Sequence, residues 1–334
     1  MSTGDPAGVG PEICIKTMKF LHALQSVKII PVGNFKILCK AARLFEYSSP
    51  LVKLSSIEEA RDFLSNNEVL NIELEDEIKT GKVSSESGRH TYNILKTCST
   101  LCLQGKTTGI VTCPINKEAL QLAGYNGEGH TEILKNLAYV PWVETVFCIE
   151  KLKIFFLSRH VSLQKAISLI TKDTVLSALI KMDNCMKDMG YQEPRLGLPG
   201  LNPHCGDGGL FGKEEIEELI PAVMEARKKG INVKGPVGAD SIYHLGIQGE
   251  FDAILSLYHD QGHIASKTYN FYKTVTITLG LPYIRTSVDH GTGYDIAWKG
   301  VANPESLIRA TSIAMDLIEK NEGFSPCCHT EKKW

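Results

Sequence analysis

Short apolar runs of strand length alternate with helix-period segments along most of the 334 residues, and this alternation restricts the fold more than any other feature. Strand character is read at 27–32, 108–113, 145–149, 153–157, 195–198, 253–258 and 275–279. Helix character is read at 34–45, 85–104, 116–123, 173–189, 214–229 and 305–320. In 85–104 the residues Ile94, Leu95, Cys98, Leu101 and Cys102 recur at helical spacing. Asn303 and Pro304 predict the cap and first position of the last helix. A chain that switches period this regularly is expected to be α/β, with a largely parallel sheet. Only three residues precede the Gly4-Asp5-Pro6 turn, so the fold opens on a stub of strand or its N-terminus is shortened.

The same runs exclude several classes of protein. Gly109-Ile110-Val111 and Ile154-Phe155-Phe156-Leu157 are far too short to span a bilayer. The first residues lack the basic and apolar regions of a signal peptide, so the cytoplasm is expected. A net charge of −2 gives no basic field for nucleic acid or an acidic membrane, so any anion must be held by local groups. The ten cysteines are scattered without a CxxC pair; the closest groupings are Cys98 with Cys102 and Cys327-Cys328. A chain of this size without a signal is expected to keep them reduced, most of them as small buried apolar residues. Cys205 stands out because it adjoins a candidate histidine.

Polar clusters recur just after predicted strands, where α/β proteins place ligands. Ser158-Arg159-His160 follows one strand. Gly200-Leu201-Asn202-Pro203-His204-Cys205-Gly206-Asp207 follows another, and Tyr258-His259-Asp260-Gln261-Gly262-His263 a third. His160, His204 and His259 can therefore converge on one ion and leave positions for substrate. The alternative is a local hydrogen bond for each. His263 ranks below His259, and His22, His90 and His329 are assigned to the surface. Gly127-Glu128-Gly129-His130-Thr131-Glu132 opens a helix whose free amides suit an anion, or merely caps it. Arg285 and Lys267 are either anion ligands or solvated surface cations. The glycines of Gly4-Asp5-Pro6-Ala7-Gly8-Val9-Gly10-Pro11 do not form the GxGxxG fingerprint. The loop Asp289-His290-Gly291-Thr292-Gly293-Tyr294-Asp295-Ile296-Ala297-Trp298-Lys299-Gly300 instead resembles the adenosine-binding loop of isocitrate and isopropylmalate dehydrogenases. On that likeness Asp289, Gly291, Thr292 and Asp295 bind the cofactor, and the Asp295 carboxylate favours NAD over NADP. Otherwise it is a glycine-rich turn with Asp295 capping the next segment.

Five motifs in order carry a wider resemblance: Gly4-Asp5-Pro6-Ala7-Gly8-Val9-Gly10-Pro11-Glu12, Gly129-His130-Thr131-Glu132, Asn202-Pro203-His204, Tyr258-His259-Asp260-Gln261-Gly262 and Gly280-Leu281-Pro282-Tyr283-Ile284-Arg285-Thr286-Ser287. Together they resemble the 4-hydroxythreonine-4-phosphate dehydrogenase (PdxA) family, from the first residues to about residue 318. The resemblance implies an isocitrate/isopropylmalate-dehydrogenase-like fold of two α/β domains with a cleft between them. The first is expected at 1–125 and 285–334 and the second at 126–284. It further implies a homodimer with a shared active site and a divalent cation (Zn, Mg, Mn or Co) on His160, His204 and His259, one of them from the other subunit. Substrate would meet His130, Thr131, Lys267, Thr276 and Arg285, with Asp240, Asp260 and Lys267 as the proton-handling candidates. Asp240 could equally cap a helix starting near Ser241. The implied reaction is NAD-dependent oxidation of a phosphorylated hydroxy acid, then decarboxylation. Thr276 stands where the family has asparagine, and Asp295-Ile296-Ala297-Trp298 looks more like the branch acting on 4-phospho-threonate or 4-phospho-erythronate. A three-histidine metal hydrolase using Asp260 would leave the 289–300 loop without a role. A metal-free acyltransferase on the same fold would survive a chelator, and a silent binding protein would never turn over.

Overall fold

The computed structural model of the chain describes residues 1–21, 27–61, 67–125 and 129–320. His22, His329, Cys327-Cys328, Gly127-Glu128 and the polar tail therefore lie outside the described residues. The chain forms two compact units, Met1–Glu144 with Val275–Trp334, and Thr145–Thr274.

The first stretch of the first unit runs α1 (Gly10–Leu21), β1 (Val32–Gly33), α2 (Phe35–Leu44), β2 (Val52–Leu54), β3 (Glu68–Asn71), α3 (Ser85–Leu103), β4 (Gly109–Thr112), α4 (Lys117–Leu122) and α5 (His130–Ala138). The second unit follows with β5 (Glu144–Ile149), β6 (Leu152–Phe156), α6 (Leu163–Ser168), α7 (Lys172–Asp188), β7 (Leu196–Pro199), α8 (Ile220–Lys228), β8 (Val233–Val237), α9 (Ile242–Ile247), β9 (Ala253–Ser256) and α10 (His259–Tyr269). The chain then returns to the first unit with β10 (Val275–Leu279), β11 (Ile284–Val288) and α11 (Glu305–Lys320).

In the first unit β4 pairs in parallel with β11, and β11 pairs antiparallel with β10. A small parallel sheet, β1-β3-β2, lies in the same unit. Ser2 makes parallel bridges to Val32 and to Thr112, so the N-terminal residues link β1 to β4. In the second unit β6, β9, β7 and β8 are successive parallel neighbours, with β5 antiparallel on β6.

Each unit has its own core. In the first, the helical stripe of α3 buries Ile94, Leu95, Cys98 and Cys102 against Leu120, Ile133, Leu134 and Ile110. In the second, Phe147, Ile154, Phe156, Tyr243 and Phe251 pack together. Each such side chain contributes roughly 1.5–3 kcal/mol on burial. Polar residues start several helices: Ser84, Asn116 and Asn34 each accept an amide of their first turn, and Asn303, the one cap read from the sequence, accepts at Oδ1 from Glu305 N at 2.9 Å.

Three sequence expectations fail. The 27–32 run is not a buried strand: only Val32 of it pairs, and 27–30 are half-exposed. His90 is not on the surface but inside α3, 4% exposed, where burial pulls its pKa down to about 4. Asp240 is not a cap, since Ser241 holds that position before α9. Among the described residues no helix is long and apolar enough to cross a membrane, and the described cysteines are all free.

Candidate active site

Three adjacent parallel strands of the second unit, β6, β9 and β7, release the three histidine-bearing segments at their C-terminal ends. After β6, the buried Ser158 hydroxyl donates to Leu257 O at 3.0 Å and fixes the turn leading to exposed His160. After β9, Tyr258 is the N-cap of α10 and His259 its first residue. Gln261 ties this corner to β7, accepting from Leu257 N at 2.8 Å and donating to Gly200 O at 3.0 Å. Gly262 is obligatory there, because a Cβ would sit 2.5 Å from Ser256 Oγ.

The ring centroids of His160 and His259 are 6.1 Å apart. A metal–nitrogen bond of about 2.0–2.1 Å puts each centroid roughly 3.2 Å from a shared ion, so this separation is near the widest that one cation could bridge. His259 Nδ1 lies 2.6 Å from Asp260 Oδ1; a proton there leaves Nε2 free as a ligand. His263, one turn on, packs 4.1 Å from His259 and 4.8 Å from Phe156. Burial first, then the neighbouring His259, lowers its pKa to about 4, so the ring is a neutral brace. Lys267, a further turn along, lies with Nζ 5.6 Å from the centre of Phe271.

His204 does not join the pair. Among the described residues no three His, Cys, Asp or Glu form a metal-holding group. His204 is exposed and begins a run of left-handed residues, with φ of 53° at His204, 55° at Cys205, 78° at Gly206, 43° at Asp207 and 65° at Gly208. Three of these five are not glycine, and such residues cost of order 1 kcal/mol each in that conformation. Glu215, fully buried, fastens the entry to the run, accepting from Leu201 N at 2.8 Å, Asn202 N at 2.7 Å and Asn202 Nδ2 at 2.9 Å. A Cβ on Gly206 would strike that carboxylate at 2.8 Å. Sequence reading missed Glu215, and its spacing from His204 gives no cue. Asp240 is exposed after β8 and accepts from Ser241 Oγ at 3.3 Å. Large apolar side chains crowd this region: Leu210 and Phe211 after His204, Val161 and Leu163 after His160, and Ile216, Ile220 and Met224 at four-residue spacing, all exposed.

The first unit brings together groups that could hold an anion. Arg285 on β11 is 3% exposed, against the solvated alternative. One terminal nitrogen donates to Thr278 Oγ1 at 2.7 Å on β10 and the other to Thr112 Oγ1 at 2.8 Å on β4, while Nε is buried without a partner. Burial pulls its pKa down to about 10, which leaves it cationic at neutral pH. His130 opens α5, with Gly129 as N-cap and Gly129 N donating to Glu132 at 3.1 Å. Burial, then the Arg285 charge, holds the His130 ring well below its ordinary pKa, and its Nε2 is also buried without a partner. A fixed cation, a neutral imidazole and helix-start amides together suit phosphate or carboxylate. Thr131 follows on the same turn, half-buried. Thr276 instead turns its hydroxyl to Ser287 O at 3.4 Å.

The 289–300 loop leaves β11 at its C-terminal end. Gly291 and Asp295 are exposed, and Thr292 is 9% exposed with its carbonyl taken by Val9 N at 2.9 Å. No helix follows directly for Asp295 to cap.

Comparison with known proteins bears on this arrangement. The family model described as "Pyridoxal phosphate biosynthetic protein PdxA" matches residues 25–314. A Fusobacterium nucleatum protein named "Putative D-threonate 4-phosphate dehydrogenase" is 42% identical over 313 residues, 93% of this chain and 94% of its own. A Clostridium botulinum protein of the same name is 40% identical over 320 residues, 95% of this chain and 96% of its own. The crystal structure of 4-hydroxythreonine-4-phosphate dehydrogenase from Klebsiella pneumoniae superposes with a TM-score of 0.81 at 36% identity, covering 95% of this chain and 98% of that one. With its α/β architecture, its ordered motifs and these matches along nearly its whole length, the chain belongs to the PdxA family.

Proposed function

We propose that this protein is an NAD- and divalent-metal-dependent dehydrogenase of a 4-phosphorylated hydroxy acid of the threonate or erythronate type, with decarboxylation of the product. The buried, unpaired Nε of Arg285 carries the reading, because a desolvated guanidinium facing a neutral imidazole is strongly unfavourable unless an anion completes it. Relatives named for D-threonate 4-phosphate supply the substrate class.

Arg285, His130 and Thr131 fix the phosphate and so orient the reacting carbon. A divalent cation on His160, His204 and His259 would supply Lewis-acid polarisation of the hydroxyl being oxidised. NAD on the 289–300 loop would supply the hydride acceptor, with Asp295 receiving the ribose hydroxyls. Asp260 orients His259 through its 2.6 Å contact, and Asp240, Asp260 or Lys267 takes the hydroxyl proton. Because the described residues of one chain gather only two of the histidines, His204 is supplied by a second copy, docked through the exposed apolar residues around it. The free cysteines suit a reducing compartment such as the cytoplasm.

A substrate panel tests this. 4-Phospho-threonate, 4-phospho-erythronate and 4-phosphohydroxythreonine are offered with NAD or NADP plus metal, and reduced cofactor is followed by absorbance. Turnover is expected with NAD and the first two acids. Arg285→Ala is expected to raise KM at least about tenfold, the loss of a charged hydrogen bond. No reduced cofactor with any acid, or an unchanged KM in the variant, would sink the reading.

A further inference from the structure

The glycine-rich segment Gly4–Glu12 is one of the five motifs, yet none of its residues serves the chemistry above. Two of its acids are buried. Asp5 has no exposed surface, and its carboxylate accepts from Ala7 N at 2.8 Å, Ser87 Oγ at 3.0 Å and the Tyr294 hydroxyl at 2.5 Å. Glu12, equally buried, accepts from Lys16 Nζ at 2.7 Å, Ala302 N at 2.9 Å and Gly300 N at 3.3 Å. Lys16 in turn donates to Gly300 O and Ala302 O, each at 2.8 Å.

Each acid has partners on the 289–300 loop or its exit, Tyr294 for Asp5 and Gly300 with Ala302 for Glu12. Between them the motif backbone touches the loop directly. Val9 N donates to Thr292 O, and a Cβ on Gly8 would come within 2.7 Å of that same oxygen. Ala7 O accepts from Gly81 N at 2.8 Å, and a Cβ on Gly81 would lie 2.9 Å from Tyr294 O. The loop has no strand or helix of its own, so these fastenings define its path. Burying two carboxylates is a poor way to gain stability, since apolar residues of similar volume serve as well or better. What buried acids add is one specified conformation, because each alternative leaves a charge unsatisfied.

We propose that Asp5 and Glu12 are positioning residues for the dinucleotide: they hold the loop in the conformation that presents Gly291 and Asp295 to the adenosine ribose. This rests on the reading of that loop as the cofactor site. Neither acid touches a reactant.

The test is NADH titration of the full-length protein, with KM for NAD and for the phosphorylated acid in parallel, and thermal melts to confirm folding. Asp5→Asn and Glu12→Gln are expected to weaken NADH binding about tenfold, and Tyr294→Phe about threefold, as for one lost buried hydrogen bond. KM for the acid should stay within about twofold, as the Arg285 cradle keeps its contacts. A role confined to stability predicts lower melting temperatures with unchanged NADH affinity, and that result overturns the proposal. If the acid variants do not fold, Tyr294→Phe decides alone, since it keeps the other two donors to Asp5. Asp295→Ala separates the layers. Weakened binding there with normal binding in Tyr294→Phe refutes positioning only; normal binding in both refutes the cofactor loop itself, and the proposal with it.

Discussion

His90 shows how far a residue's surroundings can depart from its sequence neighbours. Between Arg89 and Thr91 it reads as an ordinary surface histidine, but α3 turns it inward. Its folded pKa near 4 lies below its ordinary 6.5, so the unfolded chain takes up the proton first as pH falls. Its contribution is complete above about pH 6.5 and drains between there and pH 4, by roughly 3 kcal/mol. His90→Gln should therefore flatten the fall in urea midpoint between pH 7 and 4.5; an unchanged slope would refute the burial argument. His263 is depressed in the same direction, so the slope should shrink rather than vanish. Arg285 carries the same lesson, since alternate residues of a strand look alike in sequence whichever way they face. The contacts of Asp5, Glu12, Glu215, Thr112 and Thr278 were not legible in the sequence at all. Asp5, Glu12 and Thr112 act through partners distant in the chain, Thr278 meets Arg285 across a strand pair, and the partners of Glu215 lie in an irregular loop no periodicity describes.

At the level of elements, α2, α3, α7 and α11 and the strands β4, β5, β6, β7, β9 and β10 were readable from their hydrophobic period, whereas α1, α10 and β8 were not. β1, β2 and β3, of two to four residues, left too little pattern, and β11 was concealed by Arg285, Thr286 and Ser287. The left-handed run from His204 to Gly208 also lay beyond sequence reading, since only two of its residues are glycine. Glu215 is what makes that run a defined element. Glu215→Gln keeps the volume but weakens the hold on the Leu201 and Asn202 amides. Metal affinity, measured by chelator competition, should fall about 10- to 100-fold, as for loss of a residue supporting a ligand, while NADH affinity is retained. Parent-like metal affinity would remove Glu215 from this role.

For the whole molecule, the apolar side chains Ile216, Ile220 and Met224 at 48%, 39% and 56% exposure are out of place on a free surface. On the proposed site shared between two copies, Ile220→Glu is expected to give a monomer in sedimentation and to lose metal in the same step, because His204 would leave with the second copy. A variant that is monomeric yet retains metal would show that one chain suffices. The three histidine-bearing loops could be located from sequence because strand ends are predictable; a shared site between two copies came only from the family resemblance, since no single-chain periodicity encodes a two-fold partner.

The first unit is assembled from both ends of the polypeptide. β4 emerges from the ribosome early, but its strand partner β11 exists only after all of the second unit has been made. The second unit, continuous in sequence, has no such wait. Translation thus imposes a schedule: the histidine-bearing half can mature first, and the half that carries Arg285 and the 289–300 loop closes last, so a prematurely terminated product retains β4 with that edge unzipped.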